Sequence, residues 1–213
     1  MSWPVEALLG ACPRPFRGAE ASAIAKQPLP GRVAITALGL AGDTQADRAN
    51  HGGPDMALHL YPLDHHAHWR GLLGDHPLLG EPGAFGSNLA VRGLCEADIA
   101  IGDTFRLGSA LLQVSRPRQP CWKIEHRFGV KGMVAEILRS GRCGWYFRVL
   151  EEGVAEAGDR LELHARDPAG ISIARVFAAL WGTAAPRNQA DIAAALAVPA
   201  LAEGLRTQIA ARR

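Results

Sequence analysis

The chain has 213 residues, of which 48% are hydrophobic and 21% charged, a composition that fits one folded domain of moderate size or one domain with a small appendage. Its net charge of +2 gives no global case for nucleic-acid binding, and no apolar run approaches the roughly 18 residues that a membrane span requires. The N-terminus lacks a charged segment followed by a long apolar one, so we expect a cytoplasmic protein with no membrane partner.

Short strands dominate the predicted elements of the first two thirds of the chain. After about thirty residues that are rich in Pro and Gly, short apolar runs bounded by Gly or Asp are typical of strands. Two longer segments, one opened by a proline and one closed by a glycine, are typical of helices. The predicted strands span residues 33–38, 56–61, 89–91, 98–101, 104–107, 110–114, 145–150 and 160–163, the predicted helices 62–73 and 130–140, and a predicted helical turn 121–128.

The composition changes near Pro168, after which the chain is rich in Ala and Leu with helical periodicity. Three helices are predicted in this tail, over residues 171–181, 189–195 and 201–211. Many short strands followed by a helical tail predict a mixed, mainly β fold. We expect a β-barrel-like domain with peripheral helices over residues 1–167 and a small three-helix segment over residues 168–213.

One cysteine has a distinctive setting at the end of the strand predicted over 110–114. It closes the motif Ser115-Arg116-Pro117-Arg118-Gln119-Pro120-Cys121. The prolines stiffen this loop, and nearby guanidinium groups favour the thiolate form, which attacks electrophiles and binds soft metals. The same pattern also suits a small buried residue in a proline-rich turn. The remaining cysteines lack this setting and form no C-x-x-C pair, so we expect structural thiols at Cys12, Cys95 and Cys143.

Two loops offer possible ligand contacts. The loop His51-Gly52-Gly53-Pro54-Asp55 can cradle an anion with its backbone amides, although a plain turn before a strand explains it as well. In Gly86-Ser87-Asn88 the asparagine can bend the loop or bond to the amide edge of a ligand, and the turn interpretation is favoured.

Clustered cations and histidines are the other candidates. A basic patch beside the cysteine suits a phosphate, because guanidinium groups bind phosphate in a bidentate manner, but solvated basic surfaces are also common. The patch consists of Arg116, Arg118, Lys123 and Arg127. Three histidines lie on the first predicted helix, and we expect a solvated helix face there rather than a metal site. They are His65, His66 and His68.

Taken together, six motifs resemble those of the MOSC domain family, most closely its bacterial YiiM-type branch. Their order and spacing match over about residues 20–165, and the tail resembles the three-helix segment of that branch. Ser87 departs from the pattern, since the family has an acid there. The motifs are Ser22-Ala23-Ile24-Ala25-Lys26, Gly39-Leu40-Ala41-Gly42-Asp43, His51-Gly52-Gly53-Pro54-Asp55, Gly86-Ser87-Asn88-Leu89, Ile101-Gly102-Asp103 and Pro117-Arg118-Gln119-Pro120-Cys121-Trp122-Lys123.

The resemblance implies a molybdenum cofactor held in the barrel, with Cys121 as the protein ligand to the metal. The implied reaction is the reductive removal of an N-hydroxyl group from substrates such as 6-hydroxylaminopurine. No flavin or nicotinamide fingerprint is visible, so the electrons would come from a separate reductase. A non-catalytic cofactor-binding protein, or a sulfur carrier using Cys121, is the alternative. The implied cofactor-binding residues are Lys26, Gly52, Gly53, Asn88, Ser115, Arg116 and Arg118, and the candidate proton donors are Asp43, His51 and Asp55.

Overall fold

The computed structural model describes residues 1–46 and 52–211. Thirteen strands and six α-helices form in these residues. The strands are β1 (Ser2–Gly10), β2 (Arg14–Arg17), β3 (Glu20–Ser22), β4 (Gln27–Pro28), β5 (Val33–Thr36), β6 (Gly39–Leu40), β7 (Leu58–Pro62), β8 (Leu89–Val91), β9 (Thr104–Leu107), β10 (Ala110–Pro117), β11 (Trp145–Glu151), β12 (Gly153–Ala155) and β13 (Arg160–Ala165). The helices are α1 (His65–Leu73), α2 (Lys123–Phe128), α3 (Met133–Ser140), α4 (Ile173–Leu180), α5 (Gln189–Ala197) and α6 (Glu203–Ala210).

Seven strands close into a barrel in the order β13-β9-β10-β11-β7-β8-β1. Strand β1 closes it by pairing with β8 on one side and β13 on the other. All of these pairs are antiparallel except β7 with β8. Closure joins the two ends of the seven-strand barrel, so neither β1 nor β13 is left as an open edge strand there, and the short β4 pairs with the end of β1. The expected mainly β, barrel-like fold is therefore confirmed.

The end of β10 carries the chain toward the cysteine motif. Ala110, Leu112 and Val114 are fully buried, as alternation on a barrel wall requires. The register with β11 then shifts between Val114 and Arg116, so Ser115 is an extra residue in the ladder. Such a bulge bends the strand and re-aims the residues that follow it. The loop after β10 thereby leaves the barrel wall and leads to Cys121, just before α2.

The C-terminal helices pack on the barrel. Helix α4 buries Ile173, Val176, Phe177 and Leu180, a spacing that forms one apolar stripe on a helix. The start of α6 is tied to the barrel by hydrogen bonds from the amide of Ala202 to the Ser115 carbonyl (3.0 Å) and from the amide of Glu203 to Asp55 Oδ2 (3.0 Å).

One expectation about the elements was wrong, and one long strand was not predicted. Residues 98–101 form no strand: they turn, and Ala100 makes a single bridge to Ser172. The Asp103 carboxylate instead accepts the Ala100 amide at 3.0 Å, which holds the chain in a turn. The proline-rich start of the chain contains the long strand β1, in which the apolar residues 7–9 are buried.

The histidines of helix α1 do not form the solvated face that the sequence predicted. His65 and His66 are buried, with His65 Nε2 at 2.8 Å from Glu96 Oε2 and His66 Nδ1 at 3.0 Å from the Leu79 carbonyl oxygen. His65 is therefore held by a carboxylate and His66 by a backbone carbonyl, although the buried Nε2 of His66 has no hydrogen-bond partner in the described part of the chain. Within the described ranges, no three His, Cys, Asp or Glu side chains gather as a metal site, and no helix is long and apolar enough to cross a membrane.

Candidate functional site

Cys121 lies where two clefts meet. Both clefts are lined by Met56, Cys121 and Tyr146. The barrel cleft, with an empty volume of about 640 Å³, is also lined by Lys26, Asp43, His59, Asn88, Arg118 and Lys123. The tail cleft, with an empty volume of about 1500 Å³, is also lined by Gly52, Gly53, Pro54, Asp55, Arg116, Gln119, Pro120, Ala202, Gly204 and Gln208.

A buried ion pair forms one wall of the barrel cleft. Lys26 Nζ contacts Asp43 Oδ1, and the two side chains are only 10% and 5% exposed. Asp43 also accepts the Ala11 amide at 2.9 Å and Asn88 Nδ2 at 2.8 Å. Burial lowers the pKa of Lys26, while the charge of Asp43 acts in the opposite direction. Asp43 therefore holds a lysine and an amide in place at the cleft.

Arg118 is a second buried cation, at 7% exposure. No carboxylate pairs with its guanidinium group in the described part of the chain. His59 shares the cleft, and its buried Nε2 has no hydrogen-bond partner there. Burial, and secondarily the charge of Arg118, holds the pKa of His59 well below 6.5, so its ring is neutral at pH 7. A buried cation that no described carboxylate neutralises suits an anion-binding pocket.

Asn88 is fully engaged by the protein. Its Oδ1 accepts the His59 amide at 3.0 Å, and its Nδ2 donates to the Leu9 carbonyl at 3.0 Å as well as to Asp43. Both of its amide hydrogens are therefore used, which agrees with the loop-bending interpretation. Ser87 beside it is completely buried, with its hydroxyl 3.4 Å from the Pro82 carbonyl oxygen.

The carboxylate of Asp55 links the tail cleft to the C-terminal helices. Besides accepting the Glu203 amide, it forms an ion pair with Arg148 at 2.7 Å. Ser115 helps to hold Asp55 in place: it is fully buried, and its hydroxyl donates a hydrogen bond to the Asp55 carbonyl oxygen at 2.6 Å. Gly53 has φ 91°, a conformation that favours glycine, and its amide donates to Gln45 Oε1 at 3.0 Å.

The structure brings most of the predicted site residues to the two clefts. Ser115 lines neither cleft, and His51 lies outside the described residues. The basic patch is divided, because Arg127 lines neither cleft and donates to the Ala84 carbonyl at 2.9 Å. The cleft residues in the predicted set are Lys26, Asp43 and Asn88 with Arg118 and Cys121 in the barrel cleft, and Gly52, Gly53, Asp55 and Arg116 with Cys121 in the tail cleft.

Sequence reasoning missed His59, Tyr146 and Gln208. His59 and Tyr146 sit in the apolar strands β7 and β11, where the only local signal was a polar residue in a buried run. Of the cysteines, Cys121 alone lines either cleft in the described part of the chain. Cys143 is buried, and this burial raises the pKa of its thiol well above 9.0.

The sequence and the closed barrel of this chain are similar to those of known proteins. A family model, the MOSC domain, matches residues 47–162. The YiiM protein of Escherichia coli is 36% identical over 181 residues, which cover 85% of this chain and 80% of that protein. The uncharacterized protein YflK of Bacillus subtilis is 48% identical over 150 residues, which are 70% of this chain and 66% of that protein.

Solved structures agree with the sequence relatives. YiiM from Geobacillus stearothermophilus has a TM-score of 0.82 at 30% identity, and the match covers 99% of this chain and 98% of that chain.

One further sequence relative is a fungal protein named Reductase, from Gibberella moniliformis. It is 40% identical over 143 residues, which are 67% of this chain but only 25% of that protein. The chain therefore belongs to the MOSC domain family, within its YiiM-type branch.

Proposed function

We propose that this protein is a molybdenum cofactor-dependent reductase that removes the N-hydroxyl group from N-hydroxylated substrates such as 6-hydroxylaminopurine. The observation that carries the proposal is the position of Cys121, between a barrel cleft with buried cations and a larger open cleft. Family membership supports the cofactor, and the name of the fungal relative supports reductase chemistry.

The residues of the barrel cleft fit such a cofactor. Its phosphate requires cationic donors that are not already neutralised, and Arg118 meets that requirement. Lys26 and the unpartnered Nε2 of His59 add further polar contacts at the same cleft. A cysteine thiolate is a soft ligand that suits molybdenum. Cys121 would hold the metal, Arg118 with Lys26 would hold the anionic groups of the cofactor, and the acceptor Nε2 of the neutral His59 would take a hydrogen bond from a donor group of the cofactor.

When bound, the cofactor supplies two electrons to the N–O bond of the substrate. The net change is R–NHOH plus two electrons and two protons giving R–NH₂ and water. Asp43 and Asp55 are both ion-paired, so we assign them to positioning: Asp43 holds Lys26 and Asn88, and Asp55 holds the wall of the tail cleft. The two protons then come from water in the open tail cleft.

The electrons come from a separate reductase, because the chain carries no recognisable flavin or nicotinamide fingerprint. The fungal relative is consistent with this arrangement, since the matched segment makes up a quarter of a longer protein named Reductase. The cations of the barrel cleft favour the cofactor over a sulfur carrier, which needs a reactive thiol but no pocket for a phosphate.

The experiment compares Cys121→Ala with Cys12→Ala, a control at an exposed cysteine outside both clefts. Purified wild-type protein and the control should contain about one molybdenum per chain and reduce 6-hydroxylaminopurine with a chemical reductant. Cys121→Ala should lose both properties. Full activity in Cys121→Ala would refute the proposal, and sulfane sulfur on Cys121 without molybdenum would support the sulfur carrier instead.

A further inference from the structure

We infer that the tail cleft is the substrate-binding site and that Gln119 and Gln208 select planar nitrogen heterocycles with adjacent hydrogen-bond donor and acceptor groups. The inference rests on the proposed function. The inference goes beyond the proposed function by assigning substrate recognition to a pair of glutamines, one in the Cys121 loop and one in helix α6.

The two clefts have different electrostatic character. Among the described residues, the barrel cleft is lined by three cations, Lys26, Arg118 and Lys123, and by one carboxylate, Asp43, so it suits an anion. The tail cleft is lined by one cation, Arg116, and one carboxylate, Asp55, so it suits a neutral ligand. The tail cleft is more than twice as large and meets the barrel cleft at Cys121. A metal held by Cys121, with the rest of its cofactor in the barrel cleft, would therefore be open to a second molecule from the tail cleft.

Gln119 and Gln208 face each other across this cleft. Gln208 Nε2 lies 3.5 Å from Gln119 Oε1, the outer limit of a hydrogen bond, and neither side chain makes another one in the described ranges. Each amide offers two donor hydrogens and an oxygen acceptor. A side-chain amide can bind the edge of an adenine-type ring in a bidentate manner. A ligand edge can replace the long contact between the two glutamines.

Arg116 supplies a further donor to the same cleft. Its Nε is buried and has no hydrogen-bond partner in the part of the chain that the structure describes. Burial lowers the pKa of this guanidinium group, although it remains a cation at pH 7. A buried donor without a partner is costly, and an acceptor on a bound heterocycle, such as a ring nitrogen, would satisfy it.

The remaining walls suit a flat ring. Pro54 and Pro120 line the cleft with short apolar side chains, and Gly204 has no side chain. A methyl group added at Gly204 would meet no atom within 4 Å, so alanine can be introduced there without a clash, and a longer side chain would extend from an open position. Because Gly204 lines the cleft within α6, this position offers a way to fill the site while keeping the fold.

The experiment uses the full-length, cofactor-loaded protein and two substrates. 6-Hydroxylaminopurine carries the planar edge, whereas hydroxylamine has the N–O bond without a ring. The double variant Gln119→Ala, Gln208→Ala should raise KM for 6-hydroxylaminopurine about tenfold or more with kcat largely retained, because it removes binding that the ground and transition states share. Its kcat/KM for hydroxylamine should stay within about twofold of wild type. Gln189→Ala, at an exposed glutamine on α5 outside both clefts, is the matched control.

A binding measurement complements the kinetics. Adenine should bind the wild-type protein in calorimetry and bind the double variant about tenfold more weakly or worse. The series Gly204→Ala and Gly204→Leu should weaken adenine binding progressively as the cleft fills. Equal losses on both substrates, or unchanged adenine binding in the double variant and in Gly204→Leu, would overturn the inference. If wild type bound adenine but reduced neither substrate, the proposed function would fail while the binding site stood.

Discussion

Replacing Asp43 by Asn tests whether this carboxylate is a positioning group or a proton donor. Asn keeps the shape of Asp but carries no charge. It would leave Lys26, whose side chain is 10% exposed, as a buried ammonium without a counter-ion. Both oxygens of Asp43 now accept hydrogen bonds, from Lys26, the Ala11 amide and Asn88. In the Asn variant an NH₂ group would replace one of these oxygens. A donor would therefore face a donor.

The expected cost follows from breaking a buried ion pair. Removing one partner of such a pair typically costs about 3–5 kcal/mol, because the remaining charge is uncompensated. In a chain of this size, 1 kcal/mol corresponds to a shift of about 2–4 °C in Tm, so Tm should fall on the order of 10 °C. Lys26→Met combined with Asp43→Asn should recover part of the loss, since the isolated charge is then absent.

The assay is urea unfolding of cofactor-free protein, followed by circular dichroism. The control is Glu151→Gln, which breaks the exposed Arg106–Glu151 pair, with side chains 37% and 54% exposed, and should cost about 0–1 kcal/mol. A cost for Asp43→Asn below about 1 kcal/mol, with a large loss of kcat in the loaded enzyme, would refute the positioning role and indicate proton transfer by Asp43.

The remaining predictions concern Arg118, His59 and Cys143. Arg118→Met should raise Tm of the cofactor-free protein but lower its molybdenum content after expression, since the buried cation has no carboxylate partner in the described ranges and is retained for ligand binding; unchanged metal content would contradict this. The depressed pKa of His59 means that the unfolded state binds a proton below about pH 6.5 while the folded state does not, so stability is fully present above pH 6.5 and falls as the pH drops toward the folded pKa. His59→Gln should reduce the pH dependence of the free energy of unfolding measured between pH 5 and 7. An unaltered slope against pH would show that His59 is not the responsible group. Iodoacetamide should modify exposed Cys12 in the native protein and leave Cys143 unmodified, because Cys143 is buried with a raised thiol pKa; mass spectrometry of the peptides checks this, and rapid labelling of Cys143 would be inconsistent with its burial.

The sequence by itself determined most of the local structure. Period-two apolar runs predicted strands such as β9 and β10, and the composition change near residue 168 predicted the helical tail. Proline and arginine around Cys121 indicated the site, because chain stiffness and nearby charge depend on adjacent residues. The proline-rich start hid β1, which is stabilised by pairing with β8 and β13 far along the chain.

Only the tertiary structure decided which polar residues serve the clefts. Arg118 and Arg127 look alike in the sequence, yet Arg118 lines the barrel cleft, while Arg127 donates to a backbone carbonyl. Asp55 pairs with Arg148, 93 residues away, and so supports the tail cleft. The exposure and partners of a charged group depend on long-range packing, and a local pattern contains no information about groups that distant. For the same reason the sequence could not show that two clefts meet at Cys121, because the walls of these clefts come from the closed barrel and from the helical tail packed against it.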